Sequence, residues 1–379
     1  MDVLTTLFSS TGNLIVGTLL PFFFVLMIVI FVHEMGHYLV GRWCGIGVRE
    51  FALGFGPELI GWSDKKGTRW KLCAIPLGGY VKFVGDVGAS SAPNSEELLA
   101  LPQEERAKAF QVQALWKKAL TVLAGPLANF ILAFFILTAF FAIIGKQYIA
   151  PIVASVQTGS PAAVAGLQPG DRFLKVGGKD VVTFIDIQNS VNGRAGDPIN
   201  FVIGRKDQTL EITITPNLSE QVDGLGNKIK VGIIGVIADK SPENYRILDL
   251  NVFEAAGAAY NETTRTIERT LIFLKRFASG REDRCQMGGP VKIAQMAGQA
   301  AERGTTWLIS LVAFLSIGIG IMNLLPIPPL DGGHLSLYAY EALMRRPLPA
   351  FIQERIYQIG FLAVMGFIGF VLWNDIIAC

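Results

Sequence analysis

Charged residues are scarce in this chain of 379 residues, of which 17% are charged and 51% are hydrophobic. Soluble domains carry roughly 25% charged residues, so the composition argues against a simple soluble globule. The mean hydropathy is +0.43, and the apolar residues collect in long segments. Because about 20 apolar residues in a helix cross the core of a bilayer, the sequence predicts a membrane protein.

A large excess of either charge is also missing, since 33 Lys and Arg face 31 Asp and Glu. A nucleic-acid-binding face would show a pronounced basic excess, so nucleic acid is not expected as a partner. The four cysteines lie far apart and form no CxxC pair: Cys44, Cys73, Cys285 and Cys379. Neither a disulfide framework nor a thiolate zinc cluster is therefore indicated.

Four stretches contain no charged residue, namely 14–32, 119–145, 304–330 and 356–374. They predict transmembrane helices at about 14–40, 119–145, 304–326 and 356–376. Lys and Arg concentrate in the loops after the first and third helices, and such residues are retained in the cytoplasm. Both termini, and the long insert between the second and third helices, are then expected outside the cytoplasm.

This pattern divides the chain into two membrane halves, 1–145 and 304–379, around an insert of soluble composition. Short strand-like runs in the insert predict a small sheet domain over 146–217: Val153–Val156, Arg172–Val176, Ile199–Ile203 and Leu210–Ile214. Residues 218–303 are expected to form a linker with amphipathic helices, which either lead back to the membrane or pack on their own domain.

The cytoplasmic loop of the first half, at about 46–118, contains an apolar segment that is too short to span. Arg69–Phe83 predicts a hairpin with its turn at Gly78-Gly79. Its aromatic and aliphatic content favours a loop that dips into the membrane, which requires its backbone to be paired or to face a cavity.

The cytoplasmic end of the first predicted helix carries the pattern H-E-x-x-H, as His33-Glu34-Met-Gly-His37. The two histidines lie on one helical face, where two imidazoles can bind one Zn²⁺. Glu34 then lies beside the metal, where it can act as a general base. An idle pair of histidines is the alternative, but ionisable groups in a spanning segment are costly unless something compensates them.

A catalytic zinc site needs a third protein ligand and one open position. Asp331 is the preferred candidate, because it ends the proline- and glycine-rich stretch Asn323-Leu-Leu-Pro-Ile-Pro-Pro-Leu-Asp331-Gly-Gly-His334 after the third apolar segment. The predicted topology returns this stretch to the side of the membrane on which His33 lies. His334 is left as a candidate for supporting the ligands from outside the metal shell.

These motifs resemble those of the site-2 proteases, which are membrane-embedded zinc metalloproteases, and among them the bacterial branch typified by the regulator of sigma-E protease (RseP). The match covers nearly the whole chain and includes four blocks: His33–His37, Gly125-Pro-Leu-Ala-Asn129-Phe, Gly288-Gly-Pro-Val-Lys-Ile-Ala and Asn323–His334. The resemblance implies four transmembrane helices with an inserted extracytoplasmic α/β PDZ-like domain and a membrane-associated β-hairpin.

The resemblance also implies roles for individual residues. His33, His37 and Asp331 would hold zinc, and Glu34 would activate water. Asn129 and Asn323 match asparagines placed near the scissile peptide, where an amide could orient the substrate or stabilise an oxyanion. Hydrogen bonding between helices is the alternative for both. The hairpin would pair with an unwound substrate strand.

The segment Ser160-Pro-Ala-Ala-Val-Ala-Gly-Leu-Gln-Pro-Gly-Asp171 resembles the helix and turn of protease-associated PDZ domains. The insert has room for a single such domain, whereas the RseP arrangement has two. That domain either binds peptides or acts as a spacer or steric gate.

The function implied is an intramembrane zinc endopeptidase of the bacterial inner membrane, acting in regulated intramembrane proteolysis. Its substrates would be single-span proteins already cut by a site-1 protease, of the anti-sigma-factor type, and remnant signal peptides. Two other classes of protein fit the sequence less well. A silent adaptor would be free to lose Glu34, and a metal transporter would carry ligands along several helices rather than at one membrane depth.

Overall fold

The computed structural model describes residues 15–86, 101–192, 194–206, 208–222, 228–279 and 288–378. Cys285 and Cys379, two of the four cysteines of the sequence, lie outside these described residues. The start of the chain, at 1–14, lies outside them as well. The chain forms two compact units. The first comprises Met1–Thr138 with Ala256–Cys379, and the second comprises Ala139–Ala255.

The helices are, in chain order, α1 (Leu20–Trp43), α2 (Gln103–Ala107), α3 (Leu115–Ile144), α4 (Pro161–Val164), α5 (Phe184–Asn192), α6 (Val252–Ala278), α7 (Pro290–Arg303), α8 (Thr305–Asn323), α9 (Asp331–Met344) and α10 (Ala350–Trp373). Four helical segments of the described chain are long and apolar enough to cross a membrane: Val16–Trp43, Leu115–Ile144, Thr305–Asn323 and Phe351–Ile377. They coincide within a few residues with the four predicted segments, because charge-free runs of this length have one stable state in lipid.

The strands are β1 (Val48–Ser63), β2 (Arg69–Phe83), β3 (Lys146–Ile149), β4 (Val153–Val156), β5 (Arg172–Val176), β6 (Lys179–Asp180), β7 (Ile199–Arg205), β8 (Gln208–Ile214), β9 (Asn217–Val222), β10 (Lys228–Ile233), β11 (Val236–Ala238) and β12 (Tyr245–Leu248). Of the strands in the described residues, β1 and β2 belong to the first unit. The others fall within the insert.

The predicted hairpin turn at Gly78-Gly79 is wrong. The hairpin joins β1 to β2, and its turn covers 64–68, where Gly67 has a φ of +83°. Asp64 holds this turn by accepting hydrogen bonds from the backbone N–H groups of Lys66 and Thr68. Both strands bend, so that Phe51 of β1 pairs with Val81 at one end of β2 and with Trp70 at the other.

Helix α1 lies at the centre of the first unit. A Cβ at Gly36 would collide with the carbonyl of Ala124 in α3, so the two backbones approach closely, as small residues allow within membranes. Another face of α1 packs on α7 and α8 through a cluster of buried apolar side chains: Phe22, Val25, Val29, Ala294, Ala297, Leu311 and Val312. Helix α1 is therefore held from several sides along the length that carries His33.

The insert is built around a four-stranded antiparallel sheet in the order β6-β5-β7-β8, with a separate β4-β11 pair. Its core consists of fully buried side chains that include Phe173, Phe201 and Ile203. Ser160 caps α4 by accepting a hydrogen bond from the N–H of Ala163. The strands predicted from the sequence are all present at their predicted positions.

The compact insert runs beyond the domain end predicted at residue 217. Strand β11 pairs with β4, and β12 pairs with β3, so both ends of the domain's chain contribute to closing it. The segment 218–303, predicted as a linker with amphipathic helices, therefore contributes strands before it becomes helical at α6. These short strands show little alternation of apolar and polar residues, and their partner strands lie far away in the sequence.

Candidate metal centre and active site

The H-E-x-x-H residues lie on α1, where His33, Glu34 and His37 are all buried. The α-helix forms because the segment is uniformly apolar and the backbone can satisfy its hydrogen bonds internally. The four-residue spacing brings the imidazole rings of His33 and His37 to 4.8 Å between centroids. Their Nε2 atoms are 3.2 Å apart.

Asp331 is the first residue of α9 and faces the two histidines. Helix α8 ends at Asn323, and the proline-rich stretch after it turns the chain before α9 begins. A Cβ at Gly332 or Gly333 would collide with the backbone of that turn, so two glycines are required there. This tight turn places Asp331 Oδ2 at 3.2 Å from Nε2 of His33 and 3.5 Å from Nε2 of His37.

The three atoms form a triangle that fits a tetrahedral zinc ion. Bonds of 2.0–2.1 Å imply edges of about 3.3 Å between ligand atoms, against the 3.2, 3.2 and 3.5 Å found here. Among the described residues, His33, His37 and Asp331 form the one such group of potential ligands. The predicted ligand set is therefore brought together in space.

The chemistry of the three donors also calls for a cation. Nδ1 of His37 donates to the carbonyl of Thr121 (2.9 Å), so its Nε2 presents a lone pair when the ring is neutral. Oδ2 of Asp331 is buried and has no hydrogen-bond partner in the described part of the chain. Lone pairs gathered this closely would repel one another, and a divalent metal compensates them directly.

Glu34 lies beside the triangle, against β2. A Cβ at Gly79 would lie 3.0 Å from Glu34 Cγ and 2.9 Å from Ile30 Cγ2, so the missing side chain lets the strand approach the helix. Glu34 and β2 together line a cavity of about 510 Å³ that also reaches Asn323 and Asp331. The cavity is large enough for a short extended peptide segment.

Asn129 and Asn323 contact opposite nitrogen atoms of the His33 ring. Nδ2 of Asn129, on α3, lies 3.3 Å from Nδ1 of His33, and its side chain is fully buried. Nδ2 of Asn323 lies 3.4 Å from Nε2, on the side that faces Asp331. Asn323 lines the cavity, whereas Asn129 is not among the residues that line it.

His334 lies outside the ligand triangle. Its Nδ1 is 2.8 Å from the hydroxyl of Tyr357 on α10, with ring centroids 5.2 Å apart. Burial lowers the pKa of His334, which favours the neutral ring. It also lines the cavity, so its place is in the wall beside Asp331.

Several contributors to the site carry no signal that sequence reasoning could have read. A Cβ at Gly125 would collide with Nε2 of His37, so α3 must present a glycine there. Tyr80 of β2 lines the cavity and donates to Glu50 (3.1 Å), and burial together with Glu50 raises its pKa to about 12. Gly125 stands in a block that the resemblance matches and Tyr80 stands in the predicted hairpin, but neither pattern indicates these contacts.

Helices that can cross a membrane, together with a buried His-His-Asp triangle and an adjacent glutamate, define a membrane protein with a metallohydrolase-type centre. The sequence profile of Peptidase family M50 matches residues 21–367. The chain belongs to this family, the site-2 proteases, and is a peptidase. The predicted family and enzyme class are thereby confirmed.

Close relatives share nearly their full length with this chain. A protein of Mesorhizobium japonicum named "Putative zinc metalloprotease" is 59% identical over 96% of this chain and 99% of its own. A protein of Brucella suis that is also named "Putative zinc metalloprotease" is 54% identical over the full length of both chains. "Metalloprotease MmpA" of Caulobacter vibrioides is 38% identical over 94% of this chain and 95% of its own.

Among solved structures, the PDZ domain of an SdrC-like protein from Listeria monocytogenes is similar to part of this chain. The match has 21% identity and covers 24% of this chain and 88% of that domain, with a TM-score of 0.19. At that TM-score the likeness does not establish the fold of the insert.

Proposed function

We propose that the protein is an intramembrane zinc endopeptidase that cleaves single-span membrane proteins. The observation that carries the proposal is the triangle of His33, His37 and Asp331 with Glu34 beside it. The two histidines and Glu34 lie on α1, a helix able to span the membrane. Zinc is the metal of the site, in keeping with the donor set of two imidazoles and a carboxylate. When bound, it supplies Lewis acidity toward a carbonyl and lowers the pKa of water.

Glu34 is the general base in this mechanism. Its carboxylate accepts a proton from the attacking water and passes it to the nitrogen of the departing amine, so one residue serves both proton transfers. It lines the cavity at the level of the triangle. Burial keeps bulk water away from the carboxylate, which strengthens each electrostatic interaction with the reacting peptide.

Asn129 positions His33. A histidine that binds zinc through Nε2 carries its proton on Nδ1 and needs an acceptor there. Oδ1 of Asn129 is buried and has no hydrogen-bond partner among the described residues. The O and N atoms of an amide are assigned from the hydrogen-bond network. A half-turn flip of the Asn129 amide places Oδ1 where Nδ2 now lies, next to Nδ1 of His33. Asn323, on the cavity side, is left to orient the substrate or to stabilise an oxyanion.

The substrate binds as an extended strand beside β2. A helical substrate hides its peptide bonds, so it must unwind before water reaches them, and a sheet edge offers backbone partners for the unwound segment. Residues 77–81 of β2 line the cavity next to Glu34. Such irregular backbone is tolerated at membrane depth because it lines a cavity.

The insert is a PDZ-like domain on the extracytoplasmic side, and the active site lies toward the cytoplasmic face of a bacterial inner membrane. This orientation rests on the Lys and Arg residues of the loops at 42–118 and 345–355. The PDZ-like assignment rests on the antiparallel sheet of the insert with its two short helices. The substrates are anti-sigma-factor-like proteins already cut by a site-1 protease, and remnant signal peptides.

A cleavage assay of a single-span model substrate in detergent tests the proposal, with bound metal quantified for each protein. Glu34→Gln should lower cleavage by about 100-fold or more while retaining zinc, since general-base catalysis contributes about 10² to 10⁴ in rate. His33→Ala should lose both. Glu354→Gln, at an exposed position of α10, makes the same chemical change away from the site and should cleave normally. Substantial cleavage by purified Glu34→Gln would refute the mechanism.

A further inference from the structure

A basic hollow lies at the end of α1 that follows His37, apart from the active-site cavity. It has a volume of about 900 Å³ and combines four cationic residues with a single carboxylate among its described lining residues: Arg42, Arg49, Lys66, Lys108 and Glu105. Glu105 lies 3.5 Å from Arg49. Asp64, which the charge of Arg42 also reaches, is engaged by its own turn and by Trp70.

The floor of the hollow is a fixed scaffold. Ile46 and Val48 are buried, and the N–H of Gly47 donates to the carbonyl of Lys108 (2.9 Å). The N–H of Val84 donates to the carbonyl of Gly47 (2.8 Å). These bonds tie the end of α1, the end of β2 and the segment after α2 together, so Arg42 and Lys108 are held around one space. Lys66 of the hairpin turn lines the same space.

The last turns of α1, which bring Arg42 to the hollow, also carry exposed apolar side chains. Leu39 and Trp43 are 57% and 78% exposed, and their four-residue spacing puts them on one face of the helix. Arg42 lies in the same turn. An exposed tryptophan at the end of a spanning helix is typical of the membrane interface, so the hollow lies where headgroups meet acyl chains.

We propose that this hollow binds the phosphate headgroup of an anionic phospholipid, with the acyl chains along Leu39 and Trp43. The excess positive charge favours an anion, and the apolar side chains of Leu39 and Trp43 favour an amphiphile over free phosphate. Basic clusters beside spanning helices bind anionic lipids through the same combination. Because β1 and β2 leave the hollow and run to the active-site cavity, a bound lipid would also brace the sheet that presents the substrate.

The test measures lipid binding to the full-length protein in detergent, by native mass spectrometry and by the shift in Tm. The probes are a short-chain phosphatidylglycerol, phosphatidylcholine of the same chain length, and inorganic phosphate. The variant Arg42→Gln/Lys108→Gln removes two cations of the hollow. The matched control Lys65→Gln/Arg346→Gln removes the same charge from residues outside its lining, one of them in the same hairpin turn as Lys66.

We expect phosphatidylglycerol to bind and stabilise the wild type, and its binding to fall about tenfold or more in the hollow variant. The control should bind as the wild type does, and both variants should unfold cooperatively in the absence of lipid, which shows that they are folded. Equal losses in the two variants would indicate diffuse charge attraction and overturn the site. Stabilisation by inorganic phosphate to the same extent would overturn the lipid assignment. Neither readout depends on cleavage, so the result stands apart from the proposed function.

Discussion

Nδ2 of Asn129 lies 3.3 Å from Nδ1 of His33, the ring nitrogen opposite the one that faces Asp331. The two residues are separated by 96 positions in the chain and lie on different helices. In the same way, the carbonyl of Thr121 holds Nδ1 of His37. Helix α3 thus contributes no ligand to the triangle, yet it orients both imidazoles through their outer nitrogens.

Asn129→Ala is therefore expected to weaken zinc binding, by about 10- to 100-fold, the usual effect of losing a partner of a ligating histidine. Asn323→Ala should instead retain zinc and lower kcat, because Asn323 lines the cavity on the metal side of His33. Zinc titration against a chelator, combined with steady-state cleavage of the model substrate, separates the two effects. Unchanged zinc affinity in Asn129→Ala would contradict the positioning role.

The identity of the third ligand gives a second prediction. Asp331→Asn removes the anionic oxygen of the triangle, so its zinc affinity should fall by more than the roughly 10- to 100-fold expected for an outer partner. His334→Gln should retain zinc, because His334 contacts Tyr357 instead of completing the triangle. The measurement is metal content after dialysis against a weak chelator. Zinc loss in His334→Gln equal to that in Asp331→Asn would overturn the assignment.

Sequence reasoning could identify the candidate ligands that the fold brings together, because their signals are local. The spacing of His33 and His37 fixes their shared helical face, and the proline-glycine turn marks Asp331. It could not recover contacts made over long separations, such as those of Thr121 and Asn129. The same limit explains why the predicted domain end at residue 217 falls short of the compact insert. The pairing of β11 with β4 leaves no sequence pattern within either short strand.

The incorrect hairpin turn has a different cause. Two adjacent glycines are typical of turns, but Gly79 lies inside β2, where its missing Cβ lets the strand approach Ile30 and Glu34. The real turn uses Gly67 in a left-handed conformation. A glycine required for close approach and one required for a turn look alike in a sequence, and only the packing separates them.

Helix α3 packs closely against the histidines of α1 at Gly125, and this contact gives a third prediction. A methyl group at Gly125 would collide with Nε2 of His37 and crowd His33, so Gly125→Ala should displace the ligands and lose zinc. Gly318→Ala makes the same change in α8, where nothing lies within 4 Å of the added Cβ. It should retain zinc and cleavage. Metal content and Tm of both variants are the measurements, and zinc retained by Gly125→Ala would contradict the tight fit of α3 on the site.

The last prediction concerns Gly79, through which β2 approaches Glu34, the proposed general base. A Cβ there would lie 2.9 Å from the carbonyl oxygen of Ala52 and 3.0 Å from Cγ of Glu34. Gly79→Ala should therefore shift the strand or the Glu34 side chain, while the triangle of His33, His37 and Asp331 is untouched. The expected result is a fall in kcat of about tenfold or more with zinc content unchanged, because a misplaced base loses much of its contribution.

Cleavage kinetics and metal content, measured on the same preparation of Gly79→Ala, check this expectation. Weaker binding of the substrate strand to β2 would raise KM and leave kcat unchanged, whereas a displaced Glu34 would lower kcat. The kinetics therefore distinguish these two effects. Loss of zinc would show that β2 supports the ligands as well as the base. Wild-type kinetics would mean that the contact between β2 and Glu34 relaxes without consequence, and the strand would then have no part in placing the general base.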